Sequence, residues 1–413
     1  MSTALVVYSW PRLWSLGTGS GSPDFSHSLI ALTRVFDRVT LLYPHRRGAP
    51  LERQVPPGVR AVGFAAWRLP LIGVSGGPRI ARAVVLCLNW PLRLLNYFVF
   101  NLAAYRAAVR ECSSAAPELL TAHGCAGVWA ASRIARRAGV PLAVRMFGIS
   151  LGMKGFSAPV LAAQFEEYVA FRIDAARWII TDDGSGGRAA AEKLGVPAEK
   201  ISMLRAAVNR ETDTVEPDQD RAACRSRLGL APATIVVLRV CRLWNQQRVD
   251  RLIEALPRST AGGVPVAAVV IGDGPERERL EQLALRLDKR VVFTGTLPND
   301  SLAWYYRSAD LYAATADRTN LSQSVLEALR HALPVVALDS GETASLIRDG
   351  INGRLVRPAD NAALAEALAE LMEDNDLRQK LADGAGRTAG EEIPTTPVRV
   401  AAEAEIFRQL TKT

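Results

Sequence analysis

The sequence predicts an α/β protein built from two tandem doubly wound domains. Three observations carry this. Short apolar strands alternate with helical stretches along most of the chain, a polar acidic stretch interrupts the rhythm once, and 413 residues are too many for one ordinary core. Strands separated by helices cross over and pair in parallel, so each half predicts a parallel sheet covered on both faces.

In chain order, Ala4-Leu-Val-Val-Tyr-Ser9 reads as a buried first strand. A glycine-rich loop follows, Gly17-Thr-Gly-Ser-Gly-Ser-Pro23, then a helix near 25–36 and a second strand at 38–43. Further strands are expected at 119–123, 142–147, 178–181 and 201–204. Residues 209–221 (Asn-Arg-Glu-Thr-Asp-Thr-Val-Glu-Pro-Asp-Gln-Asp-Arg) have a linker composition. The rhythm restarts with strands at 235–239, 266–271, 290–294, 310–314 and 335–338 and a helix at 249–256. The expected division is a first domain at 1–212, a second at 213–393, and a terminal helix at 394–413 with no strand after it.

Composition narrows the function classes. Hydrophobic residues make up 49% and charged residues 22%, a globular balance. No uncharged apolar run of about eighteen residues occurs, so no membrane span is expected, and the N-terminus reads as a strand rather than a signal peptide. Five scattered cysteines without a Cys-x-x-Cys suggest neither a zinc site nor a disulfide framework, and a reducing cytoplasm is the natural setting. Net charge is +8, which suits phosphorylated substrates or anionic lipid. No recognition-helix or RNA-binding signature accompanies it, so nucleic acid is not expected. Residues 79–106 interleave Arg79, Arg82, Arg93 and Arg106 with apolar runs containing Trp90 and Phe98. They fit two core-facing helices, or an interfacial segment on an anionic membrane.

The chemistry concentrates between Asp317 and Pro358. A polar loop precedes a short helix, 324–333, which Pro334 ends; the strand Val335-Val-Ala-Leu338 follows. A helix N-terminus beside strand ends can cradle a diphosphate, because free N–H groups and the helix dipole face the anion. Glu327 sits on that helix, where a carboxylate can accept hydrogen bonds from a pair of sugar hydroxyls. Gly17, Gly19 and Gly21 lack the Gly-Lys-Ser/Thr of a P-loop, so they suit either backbone approach to a substrate or a plain turn. His123 ends a strand, where open α/β sheets gather ligands, and fits an acceptor-side or a structural role. Asp183 and Arg145 are further cleft candidates. No Ser-His-Asp or Cys-His arrangement is supported.

These segments together resemble the retaining GT-B glycosyltransferases of the family-four, or glycosyl transferases group 1, type. The resemblance spans nearly the whole chain and is sharpest in the second half. It rests on Ser324-Val-Leu-Glu-Ala-Leu, Pro334-Val-Val-Ala337, Asp349-Gly-Ile-Asn-Gly353, Gly272-Asp-Gly-Pro-Glu276, Val292-Phe-Thr-Gly295 and the stretch from Leu238 to Ile253. It implies two Rossmann-like domains, an interdomain cleft and a C-terminal crossover helix. Arg242 would bind the donor diphosphate, Glu327 the nucleotide ribose, and the loops at Gly272 and Gly295 would surround the base. Backbone N–H groups of Asn320, Leu321 and Ser322 would reach the diphosphate or donor sugar. Three positions depart from the pattern: Thr319 replaces a signature glutamate, Gln247 a loop lysine, and Phe147-Gly148 a His-Gly pair. Arg248 or Arg318 would then supply the charge that Gln247 lacks. The implied activity is metal-independent, retaining transfer from a nucleotide-diphosphate sugar to a saccharide, lipid-linked or small-molecule acceptor. It would serve polysaccharide biosynthesis in the cytoplasm, at the inner face of a membrane. The alternatives are a catalytically silent GT-B protein that binds a partner transferase or a sugar nucleotide, and an epimerase of the same architecture.

Overall fold

The computed structural model describes residues 1–9, 24–45, 55–66, 71, 79–208, 217–257, 260–261, 263–316, 321–340, 343–358 and 360–412. The first domain holds a seven-stranded parallel sheet: β1 (Thr3–Tyr8), β2 (Arg38–His45), β3 (Val59–Ala65), β4 (Leu119–His123), β5 (Leu142–Met146), β6 (Arg177–Asp182) and β7 (Ile201–Arg205). Its order is β3-β2-β1-β4-β5-β6-β7. The second domain contributes β8 (Ile235–Val240), β9 (Thr260–Ala261), β10 (Val264–Ile271), β11 (Val291–Gly295), β12 (Leu311–Ala314), β13 (Val335–Leu338) and β14 (Gly353–Val356). Six of these run parallel in the order β11-β10-β8-β12-β13-β14, and two-residue β9 pairs antiparallel with the edge of β10. Both sheets reverse direction of winding beside their first strand, at β1/β4 and at β8/β12. Such switch points open a crevice at the carboxyl ends of the strands, where ligands bind.

Strand alternation decides which layer each side chain joins. Leu5 and Val7 of β1 pack in the core formed with the long helix Arg79–Ser114, while Ala4, Val6 and Tyr8 pack on the opposite face. That opposite core is completed by Val400, Ala404 and Phe407 of the C-terminal helix Thr396–Thr411, which therefore crosses back to the first domain.

Three local expectations change. Strands β3, β9 and β14 are additional; β3 (Val-Arg-Ala-Val-Gly-Phe-Ala) is an edge strand whose glycine and arginine blur the strand pattern. The last linker residues begin the helix Pro217–Arg227. Residues 79–114 form one helix of 36 residues that runs through Pro91, not two helices. One face of it is core, with Tyr97, Phe100, Ala104 and Ala108 buried. Leu88, Leu95, Phe98 and Leu102 line the opposite face and are exposed, Phe98 at 59%. Among the described residues no helix is long and apolar enough to cross a membrane.

Candidate functional site

The loop after β8 carries Arg242, and a second loop holds it in place through glycines. Gly272 follows β10 with φ +134°; a Cβ there would lie 1.8 Å from the Cys241 carbonyl oxygen, and one on Gly274 would lie 2.4 Å from the Leu243 carbonyl oxygen. Only glycine allows the two backbones this close. Cys241 N–H donates to the Ile271 carbonyl (3.0 Å) and Leu243 N–H to that of Asp273 (2.9 Å), while Gly272 N–H donates to Gly295 at the end of β11 (2.9 Å). Gly272 and Gly295 thus seat the arginine loop. Arg242 itself is exposed and makes no side-chain hydrogen bond or ion pair among the described residues, so its guanidinium is available to an anion.

The signature helix, Gln323–Arg330, starts across the same crevice, with Ser322 as its N-cap. Ser322 and Ser324 hydroxyls lie 3.1 Å apart, and the Tyr312 hydroxyl on β12 donates to Ser324 (2.8 Å). Glu327 lies one turn further along. Its Oε2 accepts from the Tyr306 hydroxyl at 2.8 Å, and the Tyr306 ring stacks between Tyr312 and His331. Burial pushes the Glu327 carboxyl up to about 7 despite hydrogen bonds from Tyr306 and Gln323 that favour the charged form. A half-buried carboxylate fixed by a tyrosine and a glutamine suits a pair of hydroxyl groups.

Asp349-Gly-Ile-Asn-Gly353 has a structural task. Buried Asn352 accepts from Arg348 N–H (2.7 Å) and donates to the Leu346 carbonyl (2.8 Å) and the Thr388 hydroxyl (3.0 Å). A Cβ on Gly353 would lie 2.1 Å from the Val335 carbonyl oxygen, so the motif registers β14 against β13.

Four expectations are corrected. Leu321 N–H does not face an anion: it donates to the Asp183 carbonyl of the first domain at 2.5 Å, joining the two sides of the cleft. Arg248, expected on the donor, takes the left-handed conformation (φ 48°) that ends the loop, and its guanidinium grips Asp250 (3.1 and 3.2 Å). Arg145 is not a cleft residue. Its alternating position on β5 points it under the sheet, where it is 1% exposed and pairs with Glu403 of the C-terminal helix at 3.2 Å. His123, on neighbouring β4, is fully buried between the edges of Phe25 and Phe147. Its ring nitrogens have no partner among the described residues, and burial holds its pKa down to about 3, so it stays neutral. Phe147 covers both groups, with the Arg145 guanidinium 4.3 Å from its ring centre. Asp183 stays at the cleft, its Oδ1 accepting from Ser185 N–H (3.0 Å). Gly17, Gly19, Arg318, Thr319 and Asn320 lie outside the described residues.

Sequence reasoning passed over Arg239, Tyr306 and Tyr312. The signal for Arg239 was present: a charged residue inside the buried strand Ile-Val-Val-Leu-Arg-Val.

Comparisons with known proteins agree with this geometry. Residues 234–374 match the family model "Glycosyl transferases group 1". The chain is 31% identical over 228 residues to the alpha-D-kanosaminyltransferase of Streptomyces kanamyceticus, covering 54% of this chain and 58% of that protein. It is 34% identical over 174 residues to the GDP-mannose-dependent alpha-(1-6)-phosphatidylinositol monomannoside mannosyltransferase of Mycolicibacterium smegmatis, covering 40% and 45% respectively. The chain thus spans about half the length of these curated relatives. Anabaena HepE in complex with UDP superposes with a TM-score of 0.72 over 100% of both chains at 19% identity, a likeness of fold. The chain is therefore a two-domain GT-B protein that carries a glycosyl transferases group 1 domain.

Proposed function

We propose that this protein is a glycosyltransferase that moves a sugar from a nucleoside-diphosphate sugar to a hydroxyl acceptor, with retention of anomeric configuration. The observation that carries the reading is the convergence, at the switch-point crevice of the second sheet, of the available Arg242 guanidinium, the Glu327 carboxyl and the N-terminus of the signature helix. Arg242 neutralises the leaving diphosphate, Glu327 holds the ribose hydroxyls, and the helix dipole adds positive potential. Arginines supply the charge that a metal would otherwise bring, so transfer is expected to proceed in EDTA. The departing phosphate takes the acceptor proton, and no protein base is invoked. The HepE protein superposing on this fold is described with bound UDP, which supports the donor class.

The acceptor side faces a membrane in this reading. The stripe Leu88, Leu95, Phe98 and Leu102 is exposed, and the helix bearing it contains five arginines and one acid. An apolar face with basic neighbours suits an anionic lipid surface, and a lipid-linked saccharide would be presented there. Trp90 does not belong to this face; its ring packs edge-on against Phe165 at 5.0 Å.

Incubation with UDP-, GDP- and ADP-sugars and a panel of saccharide, lipid-linked and small-molecule acceptors tests the function. Donor-dependent, EDTA-resistant product is expected. Donor binding without product from any acceptor would favour the silent GT-B protein, and epimerised free donor would mark an epimerase.

A further inference from the structure

We propose that Arg239 acts through Gln247 as the positioning residue that brings a second positive charge to the diphosphate. This rests on the nucleotide-sugar reading above. Arg239 lies near the end of β8 and is 2% exposed. Its guanidinium donates to the Gln247 Oε1 at 2.8 Å, to the Gln247 carbonyl at 3.4 Å, to the Ala313 carbonyl at 3.3 Å and to the Tyr312 hydroxyl at 3.4 Å. Among the described residues no carboxylate pairs with it, and its Nε has no partner. A buried cation without a counter-ion is costly, and the protein retains it beside the loop that carries Arg242.

Gln247 gives the charge a way out. An arginine only donates, so the Gln247 amide must turn its oxygen to Arg239. Its NH2 group is thereby left as a donor pair on a partly exposed side chain, without a partner among the described residues. The Thr315 hydroxyl donates to the Gln247 carbonyl at 3.3 Å and ties this loop to the end of β12. Donors polarised by a neighbouring cation bind anionic oxygens more strongly. Arg248, one of the two arginines expected to supply this charge, is neutralised by Asp250.

The test is calorimetric titration with UDP, GDP and ADP, each beside its monophosphate. Wild type should prefer one diphosphate over its monophosphate. Arg239→Met should weaken that diphosphate about tenfold or more and leave the monophosphate nearly unchanged. The melting temperature without ligand should stay level or rise, because an uncompensated charge has gone. Adding Gln247→Lys to Arg239→Met should restore the preference by placing a cation directly in the loop. An unchanged preference in Arg239→Met, or a folded double variant without recovery, would overturn the proposal. If Arg239→Met fails to fold, Gln247→Ala carries the test, with loss of the preference expected and retention contrary. Absence of any nucleotide binding by wild type would instead overturn the reading on which this rests.

Discussion

Two arginines, each buried near the carboxyl end of a strand in its own sheet, have opposite surroundings. Arg145 in the first domain donates to the Ser28 hydroxyl (3.2 Å) and pairs with Glu403, which also binds Arg399 at 2.7 Å and accepts from Ser28. Arg239 in the second domain meets hydroxyl, carbonyl and amide groups and the Cys241 thiol, with no carboxylate among the described residues. The first charge is settled by a carboxylate that arrives 258 residues later on the C-terminal helix, and it serves the fold. The second is left unsettled at the crevice where an anionic substrate is expected. Burial alone therefore does not separate a structural arginine from a functional one; the counter-ion does.

The largest effect should come from breaking the settled cluster. Glu403→Ala leaves two buried guanidinium groups without their carboxylate and should cost about 3–5 kcal/mol in urea unfolding. A loss below about 1 kcal/mol would mean that the C-terminal helix is not anchored there. Next, Arg242→Ala should weaken nucleoside-diphosphate binding by about 2 kcal/mol or more without changing the melting temperature, because the residue is exposed and meets charge only when ligand binds. Equal binding by the variant would remove Arg242 from the site.

Glu327 makes the second-domain crevice sensitive to pH. Its carboxyl is lifted to about 7, so between the ordinary carboxylate range and about 7 the folded protein keeps a proton that the unfolded chain has released. The stability this contributes is full at acid pH and falls as pH rises through that window. Ligand binding should run the other way: ribose hydroxyls donate to the carboxylate, so affinity should rise as pH passes about 7. Glu327→Gln should flatten both profiles, and a variant that keeps the wild-type profiles would show that another group titrates. The smallest effect on stability belongs to Phe98→Asp, within about 0.5 kcal/mol because the ring is exposed. The same change should release the protein from phosphatidylserine vesicles. Undiminished vesicle binding would remove this face from the membrane reading.

Much of the fold was legible because strand and helix periods are local. Most strands of both sheets, the terminal helix and the loops at Gly272 and Gly295 could be read from short stretches. Strand β3 could not, since an edge strand needs only one apolar face and this one carries Arg60 and Gly63. The long helix was hidden by Pro91, which normally breaks such an element. Site residues divided in the same way. Arg242 and Glu327 stand at positions set by local motifs, whereas the partners of Arg145 and of the Leu321 N–H lie far away in sequence, at Glu403 and Asp183. The glycines of the second domain could be recognised as a pattern, but their reason, a Cβ against a facing carbonyl, required the neighbouring loop.

The most direct measurement is titration of the purified protein with UDP, GDP and ADP in EDTA, followed by thermal unfolding and repeated with Arg242→Ala. One diphosphate should bind, raise the melting temperature of wild type and lose that effect in the variant. If none of the three shifts wild type, or all shift wild type and variant alike, the crevice of the second sheet is not a nucleoside-diphosphate site.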